Sequence, residues 1–183
     1  MYFLHLSAMS CSASGATTKA PGGRGGVSVL YMFDNTPNDY FGIYHASPVN
    51  GPTYVSPGYN GRGSAIKLDR SSSQYLIVPS FMSFYQMSLT FEVWIYPFTV
   101  ATADPIADFV IFSQINAVII LNQALQFMIR NGRSYGSFYA NDVVATSMIG
   151  TNQWHHIAFT YDYTTRTQIL YQNGIAGKQL INF

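Results

Sequence analysis

The richest concentration of chemistry in this chain surrounds Asn131-Gly132. That dipeptide favours a two-residue type I′ turn, because both central residues need positive φ. The flanking runs Leu125–Arg130 and Ser134–Tyr139 are therefore predicted to form a hairpin in which Arg130 faces Arg133, Met128 faces Tyr135, Gln126 faces Ser137 and Ala124 faces Tyr139. One face then carries Gln126, Arg130, Arg133, Tyr135, Ser137 and Tyr139. The other carries Leu125, Phe127, Ile129 and Phe138 and goes to the core. Tyrosine rings stack on sugar faces, and arginine forks bind carboxylate or sulfate bidentately. Two arginines directly opposite each other repel. An anion relieves that repulsion, either Glu92 or an acidic group on a ligand. The bland alternative is a solvated sheet face.

Glu92 is the one glutamate in the chain. Glycoside hydrolysis normally needs two carboxylates flanking the scissile bond. The same-face positions 90, 94 and 96 are Thr, Trp and Tyr, so a partner would have to come from Asp108, Asp142 or Asp162 elsewhere. His155 and His156 are adjacent and point to opposite faces of a strand, which bars both from one metal ion. His5 and His45 have no ligand partner at useful spacing.

These groups need a scaffold, and the chain describes one. Met87–Tyr96 and Trp154–Tyr161 alternate apolar and polar residues at period two, the mark of half-buried strands. Leu89, Phe91, Val93 and Ile95 share one face; Thr90, Glu92, Trp94 and Tyr96 share the other. Ile157, Phe159 and Tyr161 are likewise separated from Trp154, His156, Ala158 and Thr160. Further strands are predicted at Ser64–Leu68, Gln74–Val78, Phe109–Gln114, Ala117–Leu121, Thr167–Gln172 and Ile175–Leu180, with the folded part starting near Val27. Asn-Gly pairs at 50–51, 60–61 and 173–174 add turns. Many short strands separated by turn residues mean an all-β sandwich, jelly roll or barrel.

Composition sets outer bounds. At 183 residues the chain fits one domain that can bury a core without disulfides, and Cys11 is its only cysteine. Charged residues are 9% and the net charge is +1, so no global field attracts nucleic acid or an anionic membrane. No apolar run is long enough to span a membrane as a helix, so membrane insertion is not expected. Residues 1–26 are read as a flexible N-terminal tail or a degraded signal region ending in the linker P-G-G-R-G-G.

Taken in order, several segments resemble the laminin-G-like jelly roll of the concanavalin-A-like lectin/glucanase superfamily. They are L-Y-M-F-D at 30–34, G-S-A-I-K-L-D at 63–69, Q-Y-L-I-V-P at 74–79, S-L-T-F-E-V-W-I-Y-P at 88–97, L-Q-F-M-I-R-N-G at 125–132, W-H-H-I-A-F-T-Y-D at 154–162 and I-L-Y-Q-N-G at 169–174. The resemblance implies a two-sheet antiparallel β-sandwich over residues 27–183. It also implies a sandwich that lacks its last strands, because family members continue past the Y-x-N-G hairpin. The implied function is a non-catalytic binding or adhesion module, extracellular or at the cell surface, that recognises glycan or extracellular protein. Two other readings stay open: a truncated structural domain that self-associates through an unpaired sheet edge, and a glycoside hydrolase using Glu92. The glucanase motif E-x-D-x-x-E is missing. Calcium is the one candidate cofactor, since many relatives hold it at a loop rim. Candidate oxygens here belong to Asp34, Asn35, Asp69, Asn141 and Asp142, with surface or turn-capping roles as the alternative. Asp69 is expected to cap the turn before Ser71-Ser72-Ser73.

Overall fold

A computed structural model of the chain describes residues 3–14, 26–79, 81–82, 84, 86–100, 108–115, 124–138 and 141–181. The strands are β1 (Phe3–Ser14), β2 (Gly26–Tyr31), β3 (Ser47–Val49), β4 (Thr53–Val55), β5 (Ala65–Asp69), β6 (Tyr75–Ile77), β7 (Ser88–Pro97), β8 (Phe109–Ile115), β9 (Ala124–Arg130), β10 (Arg133–Phe138), β11 (Asn141–Val144), β12 (His155–Asp162), β13 (Thr167–Gln172) and β14 (Ile175–Ile181). One 3-10 turn, Arg70–Ser72, interrupts them. The expected Ala117–Leu121 strand and Tyr139 lie outside the described residues.

The large sheet runs β14-β13-β12-β7-β1-β5-β4, with β2 also paired to β1. A four-stranded sheet runs β11-β10-β9-β8, and β3 pairs β6. Every pairing is antiparallel. This is the sandwich expected from the alternation. Burial in β7 alternates without a break along all its residues, so Leu89, Phe91, Val93 and Ile95 form the inward row. Facing them from the second sheet are Leu125, Phe127 and Ile129. Rings close the gap between the sheets: Phe112 lies 4.4 Å from Phe91, and Phe159 lies 6.4 Å from Phe127 and 6.0 Å from Phe138. Each fully buried aliphatic or phenyl side chain contributes roughly 1.5–3 kcal/mol by leaving water. One buried polar link also spans the layers. Ser134 Oγ donates to Gln172 Oε1 at 3.1 Å, and Gln172 Nε2 donates to the Met148 carbonyl at 3.2 Å.

Turn chemistry sets the registers. Asn131 and Gly132 have φ of 49° and 69°, and Asn173 and Gly174 have 51° and 79°. These are the left-handed conformations of the type I′ turn. The resulting β9–β10 register pairs Arg130 with Arg133, Met128 with Tyr135 and Gln126 with Ser137, as the dipeptide predicts.

The N-terminus departs from the sequence reading. Residues 1–26 are expected to be a tail, yet Phe3–Ser14 form β1, a central strand paired to β7 on one side and to β5 and β2 on the other. A register shift between Ser7 and Ser10 reconciles its two halves. Leu4 and Leu6 stand opposite Pro97 and Ile95, and after the bulge Cys11 and Ala13 stand opposite Phe91 and Leu89. A strict period-two reading breaks at the bulge and so misses the strand.

Candidate functional site

The hairpin's outward face is organised from within the protein. Continuing the β8–β9 register one residue beyond Phe109↔Ile129 brings Asp108 beside Arg130. The guanidinium donates twice to that carboxylate, Nε to Oδ1 at 2.7 Å and Nη2 to Oδ2 at 2.6 Å. Asp142 Oδ2 adds a longer contact at 3.8 Å. The guanidinium carbon lies 5.5 Å from the Tyr135 ring centre, a cation–π distance. Hydrogen bonds from Arg130, acting against partial burial, hold the Asp108 carboxyl below its ordinary range. Arg133 turns away and donates to the backbone carbonyls of Ala145 and Thr146. Ser137 donates to Asp142 Oδ1, and Gln126 stands between Ser113 and Ser137 in the ladder.

The anion that relieves the paired arginines is therefore Asp108, assisted by Asp142, and not Glu92. Sequence spacing could not find this, because Asp108 arrives on a third strand. Arg130→Ala is expected to cost about 1 kcal/mol, since a bidentate but partly exposed pair contributes modestly. Denaturant midpoints in low and high salt check this, with the loss shrinking as salt rises.

Glu92 sits on the outer face of the large sheet. There β7 turns Thr90, Glu92, Trp94 and Tyr96 outward, and β12 sets Ala158 opposite Glu92 and His156 opposite Trp94. His156 Nε2 is 3.5 Å from Glu92 Oε2, and its ring centre lies 5.1 Å from that of Trp94. A loop residue completes the cluster. Tyr59 stacks on Trp94 with centroids 4.5 Å apart and planes 13° from parallel. Its loop is held by Gly58 N–H donating to the Arg62 carbonyl at 3.0 Å and by Gly61 N–H donating to the Gly58 carbonyl at 3.1 Å. Trp154 meets Tyr59 edge-on at 6.4 Å and Tyr96 at 5.4 Å. All these rings are half-buried, so each keeps part of its surface in solvent. The period-two pattern predicted the β7 and β12 contributors; it held no signal for Tyr59.

Beside this platform, His155 points inward and is buried. Its Nε2 contacts the Gly150 carbonyl at 3.0 Å and its Nδ1 contacts Asn173 Nδ2 at 3.2 Å. Those partners require the tautomer with hydrogen on Nε2. Asn173 Oδ1 also accepts from the His156 N–H at 2.9 Å, tying the β13–β14 turn to β12.

The candidate calcium oxygens do not converge. Asp34 Oδ1 accepts from Ser64 N–H at 2.7 Å. Asp69 Oδ1 caps the 3-10 turn through Ser71 N–H at 2.8 Å and Ser71 Oγ at 2.7 Å. Asn35 donates its N–H to Ser64 Oγ at 2.9 Å, while Asn141 and Asp142 lie on β11. Among the described residues no three His, Cys, Asp or Glu side chains gather as metal ligands.

None of the three aspartates expected as partners, Asp108, Asp142 and Asp162, is placed beside Glu92. Its ladder neighbours are Ala158 on β12 and Ser10 on β1. Asp108 and Asp142 serve the other sheet, and Asp162 accepts from Thr164 and Thr165 N–H at 2.7 and 3.0 Å. What the cluster can do is present a flat, electron-rich aromatic surface edged by one carboxylate and one imidazole.

Comparison with known proteins agrees with this architecture. A laminin G family model, described as concanavalin A-like lectin/glucanases superfamily, matches residues 70–179, more than half of the chain. The match runs from the 3-10 turn into β14 and includes the hairpin face and, Tyr59 apart, the aromatic cluster described above. No curated protein matches. No solved structure matches.

Proposed function

Given that the chain belongs to the laminin-G-like family of the concanavalin A-like lectin/glucanase superfamily, we propose that it is a non-catalytic module that binds glycan on the outer face of its large sheet, outside the cell or at its surface. The observation that carries this reading is the partly exposed platform of Tyr59, Trp94, Tyr96 and Trp154, with Glu92 and His156 at its edge. The C–H groups on one face of a pyranose ring are weakly positive and pack against the negative face of an aromatic ring. The carboxylate and imidazole accept and donate hydrogen bonds to the sugar's hydroxyls, which fixes orientation. Neither step forms a covalent bond. The hairpin face supports recognition less well, because Arg130 is already held by an internal carboxylate.

A glycan array probed with purified protein tests the proposal. Saturable binding is expected, with Trp154→Ala and Trp94→Ala each weakening it about tenfold or more, as removal of an aromatic anchor does. Arg130→Ala should leave the affinity within about twofold. The reverse ranking, in variants whose circular dichroism matches the parent, moves the site to the hairpin. Array-wide absence of binding by the folded parent overturns the glycan reading.

A further inference from the structure

A cavity of ≈ 510 Å³ opens between β6 and the sheet-edge strand β8. Its walls include Phe33, Leu68, Leu76, Phe81, Ile111 and Phe112, and no charged side chain is among its described lining. Three polar side chains of that lining are engaged elsewhere. Gln74 accepts from Asp69 N–H at 2.8 Å and donates to the carbonyls of Asn50 and Gly51 at 3.0 and 3.1 Å. Gln114 Nε2 donates to the Met82 carbonyl at 2.9 Å, and the Tyr31 hydroxyl donates to the Tyr44 carbonyl. The side-chain lining is thus mainly apolar, and its main polar groups are spent inside the protein. Left empty, its aromatic walls forgo dispersion contacts on one side. Around the cavity Tyr75, Ile77 and Val110 are about half exposed, an unusual outlay of apolar surface in one place.

We propose that this cavity is a binding site for a linear aliphatic chain, whose polar end stays in solvent near the exposed Ser113. Volume and lining fall within the range of small-molecule sites, which run roughly 300–1,000 Å³ and are mainly apolar. The absence of charge in the described lining selects an uncharged body. An extended peptide threaded between the two strands fits less well. Arg70, ahead of β6, lies over the Phe109 ring at 5.3 Å, and Met82, beyond β6, is bonded by Gln114. These contacts bridge the space near both ends of β8. A register shift between Val110 and Phe112 also breaks the regular ladder along that strand. A chain entering from the open side meets neither obstacle.

The test is calorimetric titration of the whole protein with n-alkyl carboxylates from six to fourteen carbons, each below its micelle concentration. Burial of methylenes predicts one site per chain, with affinity rising about fourfold per added carbon until the cavity is full and level thereafter. Leu76→Trp, which fills the cavity, should weaken the best ligand at least tenfold. Because that change could disturb folding, Ile77→Asp on the exposed rim is a second variant and should weaken it in the same way. Trp94→Ala, on the other face, should bind as the parent does. Absence of saturable binding, affinity independent of chain length, or full binding by both cavity variants each overturns the proposal. Binding of an apolar decapeptide without binding of any alkyl chain would also overturn it and reassign the cavity to peptide.

Discussion

Gly136→Ala is expected to lower the unfolding free energy by about 1–3 kcal/mol, the usual cost of forcing atoms into a filled core. Gly136 lies in β10 opposite Phe127. A Cβ there would stand 2.2 Å from Cδ2 and 2.5 Å from Cε2 of the Phe159 ring. That ring is fully buried and held between Phe127 and Phe138, so it has no empty space to move into. The two sheets can approach at this point only because β10 offers a bare backbone, one of the recognised reasons for a glycine inside a strand. Urea denaturation reads the effect as a lower midpoint at unchanged slope. Adding Phe159→Leu to Gly136→Ala should cost less than the two single changes summed, because the smaller side chain makes room for the methyl. Strict additivity would mean that the contact is not the cause.

The second large effect concerns Asp39, a buried carboxylate held by backbone N–H groups. Its Oδ1 accepts from the N–H of Leu30 at 2.9 Å and of Phe41 at 3.3 Å. Its Oδ2 accepts from Ile43 at 3.0 Å and Tyr44 at 3.2 Å. One side chain thus satisfies donors from β2 and from the loop that leads to β3. Asp39→Ala leaves these donors without that acceptor and is expected to cost about 2–4 kcal/mol. Asp39→Asn keeps one acceptor oxygen and should cost less. Burial alone raises this carboxyl, but the four backbone donors outweigh it, and the net shift is below the ordinary value. A folded-state pKa below the unfolded one stabilises the fold above about pH 4, and that contribution fades as pH falls through the folded value. Denaturation midpoints from pH 7 to pH 2 should therefore fall less steeply on the acid side for Asp39→Asn than for the parent. An unchanged slope would show that the carboxylate charge is not what the loop uses. Asp108, also held low by Arg130, keeps its share of the acid sensitivity in both proteins.

Both effects mark the boundary between what could be read along the chain and what could not. Gly136 is visible as a glycine interrupting an alternating run, yet only the opposing sheet supplies Phe159. Asp39 looks like any loop aspartate until its loop folds back on β2. The same division runs through the two candidate faces. Alternation in Ser88–Pro97 and His155–Asp162 already said that Glu92, Trp94, Tyr96 and His156 share an outward surface. Asn131-Gly132 already said that Arg130 faces Arg133, because a two-residue type I′ turn admits one register. These are local facts, fixed by the pleat and by backbone sterics over a few residues.

The partners came from strand order, to which local pattern is blind. Asp108 reaches Arg130 from 22 residues away because β8 lies beside β9. Tyr59 covers Trp94 because its loop folds over the centre of the large sheet. β1 was hidden for a related reason: a bulge shifts its phase, and its three partner strands follow it in the chain. The sequence by itself determined the β-sandwich class, the inward and outward rows of its best strands and the hairpin registers. The tertiary structure alone decided which arginine is neutralised, where the aromatic platform forms and where the apolar cavity opens, because each depends on contacts between segments that have no periodic relation along the chain.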